Sequence, residues 1–132
     1  MVLVDTSILI DYLRGTDNAG VERFQRVLDG NIPFGITPLV YLEVLQGART
    51  EKDYTTVKSY LETHRFFGLT DEKESYAAAA RMYFDCRRKG ITINSTVDCL
   101  IAQTAIENDL TLLHNDADFD RIRRVAPLKI YE

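Results

Sequence analysis

Tryptophan is absent from the 132 residues, and there are only two cysteines, two histidines and three prolines. Cys86 and Cys99 lack the paired spacing of a zinc site and are too few for a disulfide scaffold. They are expected as buried thiols in a reducing, cytoplasmic setting. His64 and His114 stand far apart, which argues against a histidine-built metal centre. No apolar run approaches the ~18 residues of a membrane span, so no membrane association is expected. The first residues carry Asp5 and no basic leader, unlike a signal peptide. An excess of positive charge is also missing. The net charge is −4, so any contact with phosphates has to come from a local basic edge.

What remains is an ordinary globular mixture, 45% hydrophobic and 27% charged, enough for one core. One domain is expected over residues 1–132, with no linker, repeat or low-complexity stretch. Strands are expected over 2–4, 32–37, 65–69, 110–113 and 128–131. Helices are expected between them. Ile8, Leu9, Tyr12 and Leu13 are spaced helically, as are Val21, Phe24, Val27 and Leu28 up to Gly30. Pro38 opens a helix that Gly47 stops, and Thr50 to Asp53 form a capping box for the next. Further helices are expected over 71–89, from Ser95 to about Ile106, and over 119–125. Alternation of short apolar strands with helices predicts a three-layer α/β/α domain around a mainly parallel sheet of four or five strands.

Against this pattern four acids stand out. Asp5 ends Val2-Leu3-Val4, Glu43 interrupts a helical run of aliphatics, Asp98 precedes Cys99-Leu100-Ile101-Ala102, and Asp116 follows Leu112-Leu113. Carboxylates are seldom buried unless paired, hydrogen-bonded or metal-bound. Asp5 and Asp116 fall just beyond strand carboxyl ends, where parallel α/β sheets bind ligands. Each acid also has a plainer explanation. Asp5 can cap the first helix, Asp98 can close a capping box with Ser95, and Asp116 and Asp118 can be turn residues. Glu43 has no capping duty, which makes a shared cation site the better account of all four.

The segments Asp5-Thr6-Ser7 through Leu9-Ile10-Asp11, Leu42-Glu43-Val44-Leu45 with Gly47, Val97-Asp98-Cys99-Leu100-Ile101-Ala102, and Leu112-Leu113 through Asn115-Asp116 to Asp118-Phe119 resemble the PIN-domain ribonucleases, in particular the VapC toxins of bacterial toxin–antitoxin pairs. The resemblance spans essentially the whole chain, in the family's order. It implies that Asp5, Glu43, Asp98 and Asp116 are the catalytic, metal-binding acids, with Asp118 as a further candidate ligand. It implies an RNA substrate and a VapB-type antitoxin whose C-terminal tail covers the active site. One departure is His114, where many members carry Thr or Ser. It either touches substrate phosphate or simply finishes the strand.

All-oxygen ligands suit Mg²⁺ or Mn²⁺, and such centres hydrolyse phosphodiesters. Candidate substrate contacts are Arg14, Arg49, Arg81, Arg87, Arg88, Lys89, Arg121, Arg123 and Arg124. The helix face Tyr76, Ala79, Ala80, Tyr83 and Phe84 reads as core or as a homodimer seam. A phosphatase of the haloacid dehalogenase type needs an acid two residues after Asp5, where Ser7 stands. A receiver domain needs an acidic pair before the end of the first strand and a clear late lysine, which are missing. A PIN-fold module acting only through a protein partner is the remaining alternative.

Overall fold

Five short stretches become strands in the computed structural model, which describes residues 1–132. They are β1 (Val2–Val4), β2 (Phe34–Ile36), β3 (Arg65–Phe66), β4 (Thr111–Leu113) and β5 (Lys129–Ile130). All four pairings are parallel, in the order β3-β2-β1-β4-β5. Leu3 at the centre lies opposite Gly35 on one side and Leu112 on the other. Val2, Leu3 and Val4 are all buried in succession, so both faces of the sheet are covered. The covering helices are α1 (Thr6–Leu13), α2 (Ala19–Asp29), α3 (Pro38–Gln46), α4 (Glu51–Leu61), α5 (Glu72–Arg88), α6 (Thr96–Glu107) and α7 (Ala117–Ile122). The result is the expected α/β/α layering.

The chain runs outward from β1 to β2 and β3, then returns to place β4 on the opposite side of β1. The switch point therefore lies between β1 and β4, and the crevice beyond their carboxyl ends is where such sheets bind ligands. The core is one cluster including Leu3, Ile8, Phe24, Leu61, Ile101, Leu112 and Phe119. Burying each such side chain contributes about 1.5–3 kcal/mol. β2 and β3 approach so closely that a Cβ on Gly35 would sit 2.6 Å from the Arg65 carbonyl oxygen.

Several boundaries differ from expectation, each for a local reason. The strands over 32–37, 65–69 and 128–131 shorten to the few residues that find a partner strand. The last helix starts two residues earlier than expected, because Asp116 caps it by accepting from the Asp118 amide at 2.9 Å. His64 lies past the end of α4 and packs against Tyr60 and Phe34, with ring centroids 4.7 and 5.1 Å away. Cys86 and Cys99 are buried free thiols, as expected. No helix is long and apolar enough to cross a membrane.

Candidate metal centre

The switch point gathers the acids. Asp5 leaves β1 and caps α1: its Oδ2 accepts from the Ser7 amide at 3.0 Å and from the Ser7 hydroxyl at 2.6 Å. Its Oδ1 is buried with no partner. One oxygen of the carboxylate is thus spent on capping and the other is left bare. Burial pushes the Asp5 carboxyl up to about 6, with the nearby Glu43 charge adding to the rise.

Glu43 reaches the same place from α3. Its Oε1 accepts from the Thr6 hydroxyl at 2.7 Å, directly beside Asp5 in sequence. The bond that holds Glu43 joins two helices across 37 residues and leaves no local signal in the sequence.

Asp98 sits in the first turn of α6 and is 6% exposed. The expected capping box with Ser95 does not form, since Ser95 makes no side-chain cap bond. The reason is an occupied donor. In a capping box the acid accepts from the backbone N–H of the cap residue. Here the Ser95 N–H already points to Asp118 Oδ2, at 3.2 Å. The Asp98 carboxylate is left for other work, and its Oδ2 is buried without a partner. Burial, then the neighbouring Asp118, Asp116 and Asp5, hold its carboxyl far above the ordinary carboxylate range.

Asp116 and Asp118 come from the turn after β4. Carboxylate oxygens of Asp98, Asp116 and Asp118 lie within 4.8 Å of one another. Asp118 differs from the others in having its oxygens engaged. They accept from the Asn94 and Ser95 amides at 3.0 and 3.2 Å, the Asn94 side chain at 3.3 Å and Arg121 at 2.9 Å. Its carboxylate ties the loop before α6 to α7 and so sets where Asp98 and Asp116 face each other.

His114 does not finish the strand as expected but lies just past its end at Leu113. It is nearly buried, and its Nδ1 accepts from the Asp116 amide at 3.0 Å. Burial pushes its pKa down, which keeps the ring neutral and Nδ1 free to accept. A ring nitrogen thus fixes the Asp116 backbone at the position where a hydroxyl was expected. Ser7 completes the bracing, its hydroxyl accepting from the Asn115 amide at 2.9 Å.

Two bare, buried carboxylate oxygens beside further acids are unfavourable by themselves. Asp98, Asp116 and Asp118 stand close enough to share one hard divalent cation, with Asp5 near Asp98 and Glu43 near Asp5.

Comparisons with known proteins place the chain in a family. Residues 2–125 match the PIN domain family. The VapC ribonuclease Mb1587 of Mycobacterium bovis is 32% identical over 130 residues, covering 98% of this chain and 96% of that protein. Among solved structures, VapBC2 from Rickettsia felis, bound to a DNA fragment from its promoter, superposes with a TM-score of 0.75. It is 18% identical, over 99% of this chain and 98% of the other. VapBC-1 from nontypeable Haemophilus influenzae gives 0.72 at 20% identity, over 100% and 98%. At these identities the structures speak to the shared fold.

Proposed function

Because this chain belongs to the PIN-domain family, as a ribonuclease of the VapC kind, we propose that Asp5, Glu43, Asp98 and Asp116 hold Mg²⁺ or Mn²⁺ and that the centre hydrolyses RNA phosphodiesters. The observation that carries the reading is the pair of unpartnered buried oxygens, Asp5 Oδ1 and Asp98 Oδ2, at the sheet's switch point. Asp118 stands at the edge of the ligand set, its oxygens spent on four donors. The residues 1–132 act as one such domain.

A bound divalent ion supplies activation of the attacking water and stabilisation of charge on the departing oxygen. The chain's own residues orient and hold. Ser7 fixes one oxygen of Asp5 and leaves the other facing the centre, Thr6 aims Glu43, and neutral His114 anchors the backbone of Asp116. Water forms a new bond to phosphorus as the ester bond to the neighbouring nucleotide breaks, and its oxygen leaves with a proton.

The protein is, on this reading, the toxin of a pair. Its VapB-type antitoxin covers the acidic pocket with a C-terminal tail, a basic residue there complementing the carboxylates. The chain pairs with a second copy through the α5–α6 face, where half-exposed Tyr76 borders an apolar cavity with Tyr83 and Leu100.

Purified protein is incubated with total RNA in Mg²⁺ or Mn²⁺ beside an Asp5→Asn variant. Cleavage by the wild type alone is expected; equal cleavage by both sinks the assignment. For the partner, a small adjacent reading frame encoding a DNA-binding protein is expected, and its absence counts against the pair.

A further inference from the structure

Two basic segments far apart in sequence meet in space. The end of α5 supplies Arg88 and Lys89, and the residues around the end of α7 supply Arg121 and Arg124. Two neighbouring cavities, about 360 and 270 Å³, share Arg124 and form one groove. Arg88 and Lys89 line its outer part, while Asn94 and Arg121 line its inner part.

Charge balance in the groove is one-sided. Of its four cations only Arg121 has a carboxylate partner, Asp118. The one acid in the wall, Asp85, is already paired with Arg81 at 3.0 Å. Arg88, Lys89 and Arg124 are therefore unneutralised neighbours on a chain whose net charge is −4. Like charges gathered this way are relieved by a polyanion, and least by an acidic pocket that carries its own cation.

The inner end of the groove touches the acidic centre through two residues. Asn94 and Arg121 both bond Asp118, whose carboxylate lies within 4.8 Å of those of Asp98 and Asp116. No aromatic side chain lines either cavity, so there is no platform for stacking bases. The walls offer cations, amides and hydroxyls, which is the chemistry of phosphate contact without base reading.

Resting on the ribonuclease reading above, we propose that this groove tracks the phosphates of the RNA strand on one side of the cleavage centre. Arg88, Lys89 and Arg124 neutralise successive phosphates, and Arg121 with Asn94 passes the backbone inward to the acids. Grip along this track is independent of sequence, so any preference for a particular RNA arises elsewhere.

The test compares a triple variant, Arg88→Ala with Lys89→Ala and Arg124→Ala, with a control, Arg26→Ala with Lys52→Ala and Lys73→Ala. All six side chains are exposed, and either triple takes the net charge from −4 to −7, by loss of three cations. Thermal melts verify that both fold. Binding of a fluorescent single-stranded RNA is measured in Ca²⁺ across a range of salt. The groove variant is expected to bind about 10-fold more weakly or worse near 0.1 M salt, with the log–log salt slope reduced by about 2, at ~0.7 per lost phosphate contact. The control should follow the wild type. In Mg²⁺ the groove variant should raise KM for RNA while hydrolysing bis(p-nitrophenyl) phosphate at the wild-type rate. Equal binding and equal slopes in the two triples overturn the proposal. So does a groove variant that keeps its RNA affinity and instead loses its protein partner. If the wild type cuts no RNA in any divalent ion yet the binding difference holds, the nuclease reading fails and the groove stands.

Discussion

Removing the charge of Asp5 should stabilise the metal-free protein, although Asp5 caps a helix. The carboxyl is 3% exposed, and its pKa is raised from the ordinary 3.8 to about 6. An acid with a raised folded-state value costs stability once it ionises. The cost is absent below the unfolded value, grows from about pH 4 to pH 6, and is complete above. At 1.36 kcal/mol per decade of that gap, it reaches about 3 kcal/mol at pH 7.5. Asp5→Asn removes it while keeping an acceptor for the Ser7 amide. Weakening the two Ser7 bonds takes back about 1 kcal/mol, leaving a gain of about 2 kcal/mol. For a chain of this size that is a rise in Tm of about 7 °C. Melts in EDTA at pH 4.5, 6 and 7.5 should show the variant's advantage growing with pH. Mg²⁺ should erase it by stabilising only the wild type. An advantage that is the same at all three pH values, or a variant that is less stable throughout, refutes the reasoning.

Thr6→Ala should lower stability by about 1.5–3 kcal/mol, the contribution of a hydrogen bond to a charged group, and slow RNA cleavage about 10-fold, about 1.4 kcal/mol of barrier, since this bond aims Glu43. An unchanged rate would show that Glu43 needs no such hold. Asp118→Ala should lower stability by about 3–5 kcal/mol in urea melts, because it strands the Asn94 and Ser95 amides and the Arg121 charge. A loss under 1 kcal/mol would contradict its role as a clamp. Tyr76→Glu should shift the sedimentation of a dimer toward the monomer without altering the melt, as Tyr76 is 50% exposed on α5. A mass unaffected by the substitution places the seam elsewhere.

The frame of the molecule was readable because its signals are local. Apolar runs bounded by Gly30, Pro38 and Gly47 marked the elements, and carboxylates at strand ends marked the crevice. Glu43 was conspicuous because no neighbour in sequence explains it. What sequence could not convey depends on contacts between distant segments. The Ser95 amide could cap with Asp98 until α7 delivers Asp118 to take it. Nothing beside Thr6 in sequence shows that its hydroxyl serves Glu43 across 37 residues. The basic runs at Arg88-Lys89 and Arg121 to Arg124 were legible as candidate substrate contacts, but only the packing of α7 on α5 brings them into one groove.

The central claim is that the buried acids form one divalent-metal site and that this site cuts RNA. Mn²⁺ bound per protein and the rate of RNA cleavage, measured together at pH 7.5 as Mn²⁺ is titrated, test it most directly. The two curves should rise in step in the wild type. In Asp98→Asn both should collapse, the rate by about 10³-fold, as several kcal/mol of charge stabilisation is lost. Cleavage that persists in EDTA, or Asp98→Asn that binds Mn²⁺ and cuts RNA like the wild type, contradicts the account.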